Sequence, residues 1–318
     1  MSAVEHLQEL HGLPAFDFPG PDSKDELPAP ETVAWRLAAD PYDDDSDEEF
    51  GDVWDRFLDT VDPSRVRAII IGQWGEAYED DSTGIVEDLV DAKDQLTALE
   101  AVFIGDLEQE QAEISWIEQS DVTPVLAAYP ELREFGARGG TGLLFPAVRH
   151  EHLRTLTFEA GGLPAEVVRG IAASELPALE YLELWLGVEE YSGTATLADL
   201  APILAGGGFP ALHHLGLRNS EIQDEIAAAV AAAPVVARLS SLDLSLGVLT
   251  DEGATALLEG QPLTHLQWLD LHHHFLSDPI AARLRDTLVP AGVEVDLSEP
   301  GRSWNNDGVV HRFTAVAE

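Results

Sequence analysis

One six-residue pattern, Leu-x-x-Leu-x-Leu, recurs through this chain and limits the folds that it can adopt. The clearest copies occupy residues 212–217, 239–244 and 266–271, so successive copies begin 27 residues apart. A fixed period of this length is typical of proteins built from stacked structural repeats. Further strands are indicated at residues 35–37 and 295–297. Less regular copies of the pattern begin at Val66, Leu99, Leu132, Leu153 and Leu179.

The repeat predicts a parallel sheet because of the way a strand directs its side chains. Successive side chains point to opposite faces, so the fourth and sixth positions of each copy are apolar on one face. One such strand cannot bury that face, whereas parallel strands about 4.8 Å apart join these positions into a continuous core. The sequence therefore predicts an α/β solenoid, a horseshoe with a parallel sheet on its concave face.

The segments between the strands predict a mostly helical convex side. The copy that begins at Leu132 is followed by the next after 21 residues, which leaves no room for a helix. Its return segment, residues 139–149, contains glycines and Pro146, and we expect it to be extended. Apolar residues recur at helical spacing in five other segments, which are residues 85–96, 196–204, 222–232, 251–258 and 278–288.

We expect one domain, residues 1–318, because no linker rich in proline or glycine divides the chain. The repeats fill residues 39–297. An N-terminal cap, residues 1–38, is predicted to hold a short strand pair formed by residues 6–18 and 33–38. A C-terminal cap, residues 298–318, is predicted to be a hairpin, because Asn306-Asp307-Gly308 is a turn signal between two strand-like segments.

These residues carry two resemblances. The segment Leu242-Asp243-Leu244-Ser245, followed by Leu249-Thr250-Asp251-Glu252-Gly253-Ala254, resembles a leucine-rich repeat of the ribonuclease-inhibitor type, and the likeness extends over residues 66–297. The whole chain is similar to a bacterial family of uncharacterised leucine-rich-repeat proteins, which implies the solenoid fold and no particular activity. Four segments carry the second likeness: His11-Gly12-Leu13-Pro14, Gly72-Gln73-Trp74-Gly75, Ile114-Ser115-Trp116-Ile117 and Leu217-Arg218-Asn219-Ser220-Glu221-Ile222.

The charge of the chain is strongly unbalanced. It carries 59 acidic and 17 basic side chains, which gives a formal net charge of -42 at pH 7. Such a field repels phosphate backbones and anionic lipids, and this argues against direct binding of nucleic acids or membranes. It favours a cation or a protein partner with a basic surface. Solubility, coding bias or adaptation to salt would produce the same acidity.

The sequence favours a soluble, cytoplasmic protein. Cysteine is absent, so no disulfide can form, and this fits a reducing compartment. Residues 1–10 lack the basic start of a signal peptide. The longest apolar stretch, residues 226–237, is interrupted by Pro234 and is too short to span a bilayer.

The outward positions of the predicted sheet indicate a binding face. Its third and seventh positions direct aromatic, histidine and arginine side chains toward solvent, and several of these residue types are frequent at binding hot spots. Flanking loops such as residues 188–193 could instead cover them. We predict that a protein partner binds at Tyr181, Trp185, His214, Arg218, Asp243, Trp268, Asp270 and His272.

The fifth positions place carboxylates on neighbouring strands, at Asp243, Asp270 and Asp296. These groups should repel one another, and a cation, an arginine from a partner or raised pKa values would relieve the repulsion. Carboxylates exposed to water also tolerate each other, so the row alone predicts no metal. The run from His272 to His274 predicts none either, because neighbouring side chains on a strand point apart.

A second surface is indicated nearer the N-terminus. Acidic stretches at residues 40–49, 76–81 and 106–113 follow three predicted strands at equivalent places, and we expect them to form one acidic ridge. A solvated charged surface is the default interpretation of such stretches. The aromatic residues interleaved with them are Tyr42, Trp54, Trp74, Tyr78 and Trp116.

Part of this ridge resembles the start of a calcium loop, at Asp43, Asp45 and Asp47. The match fails, because Glu48 replaces the required glycine and Trp54 stands where the final glutamate should be.

Motifs of the common enzyme classes are missing from the sequence. The glycine cluster at residues 139–142 lacks the lysine of a phosphate loop, and there is no nucleophile elbow, HExxH pair or thiol. We predict a non-catalytic scaffold without cofactor, metal or small-molecule substrate, which binds a protein through its concave face. The alternative is an acidic mimic that binds a basic or nucleic-acid-binding partner through the ridge. An enzyme would need a deep pocket with a pKa-shifted residue.

Overall fold

The computed structural model describes residues 4–24, 26–41 and 48–317. Among them, twelve strands form one sheet in chain order. The first pair of strands is antiparallel and the later pairs are parallel. The strands β1 to β12 are Glu9–Leu10, Leu13–Asp17, Ala34–Ala39, Ala68–Trp74, Ala101–Ile104, Glu134–Arg138, Thr155–Glu159, Tyr181–Gly187, His214–Ser220, Ser241–Asp243, Trp268–Asp270 and Glu294–Asp296.

An α-helix lies in each connection between consecutive strands from β3 to β12, except between β6 and β7, where residues 139–154 are all described. This confirms the extended segment predicted after Leu132 and the mixed α/β class with a mostly parallel sheet. Within the described ranges, no helix has the length and apolar character that crossing a membrane requires. The helices α1 to α8 are Phe50–Thr60, Thr83–Asp91, Thr123–Ala128, Ala165–Ala172, Leu197–Ala205, Gln223–Val230, Asp251–Glu259 and Asp278–Leu288.

The fourth positions of the sequence pattern form one continuous row across the sheet. Their strands pair in register, so each side chain packs beside its counterpart on the next strand. Burying one leucine side chain contributes about 1.5–3 kcal/mol, so the row and the helices that cover it stabilise much of the fold. Its members are Trp35, Ile69, Val102, Phe135, Leu156, Leu182, Leu215, Leu242 and Leu269.

The N-terminal segment, residues 4–12, crosses the face of the sheet opposite the helices. Leu7 and Leu10 pack there on a small apolar cluster that includes Ala34, Ile70 and Phe103. This segment includes β1, and β2 pairs with β3, as expected for the strand pair predicted from residues 6–18 and 33–38.

The C-terminal residues form a hairpin followed by a tail. Strands β13, Trp304–Asn306, and β14, Val309–His311, pair antiparallel around Asp307 and Gly308, which confirms the predicted turn. The hairpin exposes Trp304, whereas the tail at residues 314–317 returns to the sheet. There the Ala315 amide donates to the Leu246 carbonyl oxygen at 2.8 Å.

Candidate functional site

The eight residues predicted to bind a partner lie on or just beyond strands β8–β11, on the sheet face opposite the helices. We call the part of this face formed by β8–β12 the open face. Parallel pairing places side chains of equal position side by side. One row contains Tyr181, His214, Ser241 and Trp268, and the next row contains Glu183, Gly216, Asp243, Asp270 and Asp296.

Glu183 is the centre of a buried polar network that the predicted site did not include. Its Oε1 accepts hydrogen bonds from Arg218 Nη1 at 2.6 Å and from Trp185 Nε1 at 2.9 Å. Its Oε2 accepts one from the Tyr181 hydroxyl at 2.5 Å. The glutamate lies over β9 because residue 216 is glycine: a Cβ atom there would be 2.9 Å from Glu183 Cγ.

Arg218 connects this network to the next strand. Its Nε lies 3.2 Å from Asp243 Oδ2 and donates to Ser245 Oγ at 2.9 Å. The guanidinium carbon lies 5.1 Å from the centre of the Trp185 ring, a cation–π distance. One arginine thus compensates two buried carboxylates on different strands.

Burial and charge move the pKa values of the carboxylates in opposite directions. Burial alone would raise the pKa of Glu183, but Arg218 and the hydrogen bonds from Tyr181 and Trp185 outweigh it, so that pKa is lowered. Burial raises the pKa of Asp243 to about 6, with a further contribution from the Asp270 carboxylate. Glu183 therefore stays ionised at a lower pH than Asp243 does.

His214 and Tyr181 form a pair of stacked rings on the open face. The His214 ring stacks on Tyr181 with centroids 3.8 Å apart and planes 3° from parallel. Its Nδ1 lies 2.8 Å from Ser241 Oγ, whereas Nε2 has no hydrogen-bond partner in the described ranges. Burial lowers the pKa of His214 to about 4, so the ring is neutral at pH 7.

Asp270, His272 and Asp296 form a third group at the C-terminal edge of the open face. His272 Nδ1 and the His272 amide each lie 2.8 Å from Asp270 Oδ1. Burial alone would lower the pKa of His272, but Asp270 outweighs it and raises that pKa. One potential ligand atom from each residue lies within 4.8 Å of the others, a spacing at which a metal ion could be held. Asp243 bonds to Arg218 instead, and the absence of a metal remains a prediction.

The three consecutive histidines point apart, as alternation predicted. His272 contacts Asp270, His273 Nε2 lies 3.1 Å from the Phe313 carbonyl oxygen, and His274 Nε2 lies 3.3 Å from that of Leu297. The run as a whole therefore offers no common metal site.

The expectation that all the predicted binding residues project into solvent is wrong. Trp185 is 9% exposed, and Asp243 is 2% exposed. His214 and Asp270 are also buried. The polar network holds these side chains against the sheet, and the residues that pack around Trp185 are Ile114, Leu246, Ala315 and Val316. The partly exposed members of the set are Tyr181, Arg218, Trp268 and His272.

Asp106 is a second buried centre, and its inclusion in the acidic ridge is wrong. It is fully buried and accepts hydrogen bonds from Arg36 Nε at 2.7 Å and from the Leu7 amide at 2.9 Å. Arg138 Nη1 lies 3.5 Å away, and the same guanidinium donates to Glu159 at 2.8 Å. Asp106 thereby anchors the N-terminal segment to the sheet.

The structure brings together acidic residues from two of the three stretches of the predicted ridge, residues 40–49 and 76–81. The calcium-like residues Asp43, Asp45 and Asp47, together with Tyr42, lie outside the described residues. Trp54 is buried in the core. Acidic residues that follow β3 and β4, with one from α2, surround a pocket of about 530 Å³: Glu48, Glu49, Glu76, Asp80, Asp81 and Asp88. Of the interleaved aromatic residues, Trp74 is also buried, while those exposed are Tyr78 and Trp116.

The opposite pKa changes of His214 and Asp243 predict two compensating effects of pH. Between pH about 4 and 6.5 the unfolded histidine binds more protons than the folded one, so His214 makes stability rise with pH. Between pH 3.8 and about 6 the folded Asp243 binds more protons, so Asp243 makes stability fall with pH. In urea unfolding at constant ionic strength, we expect the free energy of unfolding to rise more steeply with pH in Asp243→Asn than in wild type. The single variant His214→Gln should show the opposite change, a less steep rise than in wild type. Equal slopes for all three proteins would contradict the assignment.

Neither a protein-family model nor a curated protein matches this chain. A crystal structure of a protein from the bacterium Bacteroides fragilis, a target of the Northeast Structural Genomics Consortium, does match. The two sequences are 30% identical, the TM-score is 0.79, and the likeness covers 89% of this chain and 78% of the other. The chain therefore belongs to the same protein family as this Bacteroides fragilis protein.

Proposed function

We propose that the chain is a leucine-rich-repeat solenoid and that its open face, as the concave surface, binds a protein partner with a basic surface. The in-register rows and the 27-residue spacing of the strands that begin at His214, Ser241 and Trp268 support the repeat assignment. Repeat proteins of this kind commonly bind through their extended sheet surfaces.

One observation carries the functional proposal: Trp268 is partly exposed on a face that is rich in carboxylates. Asp270 follows it on the same strand, and Asp243 and Asp296 occupy the matching positions of the two neighbouring strands. Tryptophan is one of the residue types enriched at the hot spots of protein interfaces. The net charge of -42 adds long-range attraction for a basic partner.

We favour a non-catalytic role. Asp243 has the raised pKa that a general acid would need, but it is almost fully buried, bonds to the Ser245 amide and lies beside Arg218. A substrate would therefore have little access to it.

The test is capture of partners from native cell extract by three forms of the full chain. We expect wild type and Trp304→Ala to retain the same protein, and Trp268→Ala to lose at least nine-tenths of it. Trp304 is the matched control because it is exposed and lies in the C-terminal hairpin. Trp185 is unsuitable, since its substitution would remove a buried side chain. Retention by Trp268→Ala would exclude the open face as the binding surface.

The pocket lined by six carboxylates favours a second candidate, the acidic mimic of a nucleic-acid-binding partner's ligand. In that case Trp268→Ala would retain the partner, and Asp80→Asn with Asp81→Asn would release it. Added polyanion would compete, and binding would weaken steeply with salt.

A further inference from the structure

We propose that a trough above β7, on the sheet face opposite the helices, binds a linear aliphatic diamine. The trough is a cavity of about 340 Å³ between the N-terminal segment and Tyr181, a volume within the range of small-molecule sites. The inference does not rest on the proposed function, because it concerns a free ligand that is bound and not converted. It comes from small side chains on one strand, apolar sides, and carboxylates at both ends.

The trough exists because β7 directs only short side chains away from the helices at its third and fifth positions, Thr155 and Thr157. On one side, the Phe103 ring leans over β6, where a Cβ atom on Gly136 would be 2.5 Å from Phe103 Cδ2. On the other side, Glu183 leans away from β7 and over β9. The space above β7 therefore stays open between larger side chains.

Apolar groups form the two long sides of the trough. Leu7 and Leu10 of the N-terminal segment line one side together with Phe103, on which they pack. The Tyr181 ring lines the other side. The two threonine hydroxyl groups on the floor make no hydrogen bond within the described ranges. An alkyl chain fits between these sides without burying a paired polar group.

One end of the trough holds a buried carboxylate with a free oxygen. Glu159 lies two residues beyond Thr157 on β7 and is 9% exposed. Its Oε2 accepts a hydrogen bond from Arg138 Nε at 2.8 Å, whereas Oε1 has no hydrogen-bond partner in the described part of the chain. Buried polar atoms are normally paired, so a ligand N–H group that enters the trough would complete the hydrogen bonding of Glu159.

The other end holds a second carboxylate that lacks full compensation. Glu134 lies beside Thr155 in the sheet, and its Oε2 lies 3.1 Å from His11 Nδ1. Burial raises the pKa of Glu134, with a further contribution from Glu9, and His11 offsets only part of this rise. The described lining residues include no lysine, arginine or histidine. A cation at this end would therefore stabilise the ionised glutamate.

The distance between the two ends selects the length of the ligand. Residues 155 and 159 are four positions apart on β7, which corresponds to about 13 Å along a strand. A charge-assisted N–H···O distance of about 2.8 Å at each end leaves about 7–8 Å between two nitrogen atoms. An extended chain of five methylene groups spans that distance. Such a diamine places one ammonium group at Glu134 and the other at Glu159.

The test is calorimetric titration of the full chain at pH 7 and constant ionic strength with three amines. These are the terminal pentanediamine, pentylamine and the terminal propanediamine. We expect pentanediamine to bind at one site with at least tenfold higher affinity than either of the others. Pentylamine lacks the second ammonium group, and propanediamine has the same charge but cannot reach both ends. Equal affinities for the two diamines would mean attraction by net charge alone and would overturn the proposal.

Two variants separate the trough from the other carboxylates of the chain. We expect Thr157→Leu to weaken pentanediamine binding at least tenfold, because the leucine fills the trough without changing its charge. Glu134→Gln should lower the affinity to that of pentylamine, and it keeps the proposal testable if Thr157→Leu does not fold. Glu180→Gln is the matched control, since Glu180 pairs with Arg154 outside the trough, and it should bind as wild type does. Unchanged affinity in Glu134→Gln would refute the proposal.

Discussion

Replacing Arg218 with methionine is expected to lower the free energy of unfolding by about 3–5 kcal/mol, the usual cost of removing one partner from a buried ion pair. The substitution keeps much of the side-chain length but leaves the Glu183 and Asp243 carboxylates buried together without a cation. It also removes the charge that lies over the Trp185 ring. The loss should be visible as a lower midpoint of urea unfolding at pH 7.

Arg154→Met is the matched control for this prediction. Arg154 is more than half exposed and pairs with Glu180 at 3.2 Å, so its loss should cost less than about 1 kcal/mol. Adding Glu183→Gln to Arg218→Met should restore part of the stability, because one uncompensated charge is removed. Equal losses for Arg218→Met and Arg154→Met would show that the network does not stabilise the fold.

Asp106→Ala is expected to cost a similar 3–5 kcal/mol and to detach the N-terminal segment from the sheet. It leaves the buried Arg138 without one of its two carboxylates and the Leu7 amide without its acceptor. We expect hydrogen exchange at Leu7 and Leu10 to accelerate at least a hundredfold, and limited proteolysis to cut within residues 4–12.

Asp17→Ala tests whether the large loss of stability expected for Asp106→Ala arises from the burial of the Asp106 carboxylate. Asp17 bonds to the same Arg36, at 2.6 Å, but its side chain is 80% exposed, so we expect a loss below about 1 kcal/mol and unchanged exchange. Burial alone would raise the pKa of Asp106, but His6, Arg138 and the Leu7 amide outweigh it and lower that pKa. Its contribution is therefore complete above the unfolded pKa of about 3.9 and is lost as pH falls through the folded value. Protection of Leu7 that stays intact in Asp106→Ala would refute the anchoring role.

The sheet could be predicted because one row of residues specifies it. Leu182, Leu215, Leu242 and Leu269 occur at the fourth position of their copies, and the strands pair at these residues. Helix α1 was missed although its buried residues have helical spacing, because they directly follow the acidic run at residues 40–49 and Trp54 was interpreted as an aromatic residue of the ridge. These residues are Phe50, Val53, Trp54 and Phe57.

Less of the candidate site could be predicted. The alternation of side chains along a strand shows toward which face of the sheet a side chain points, but it does not show which other residues cover that side chain. Glu183 was on the predicted face, but its central place depends on the missing side chain of Gly216 and on Arg218, which lies 35 residues away. Asp106 looked like one acid among many, since its partner Arg36 is 70 residues away in sequence. Distant pairings of this kind leave no periodic signal in one sequence.

The two terminal segments meet above the sheet. Val4 packs against a cluster that contains Ala315 and Val316, and the Glu5 carbonyl oxygen accepts a hydrogen bond from Arg138. In a stack whose repeats contact only their neighbours, each end can fray independently. Here the first and last segments share one set of contacts, so opening either end weakens the other, and the chain should unfold more cooperatively than a linear array of the same repeats.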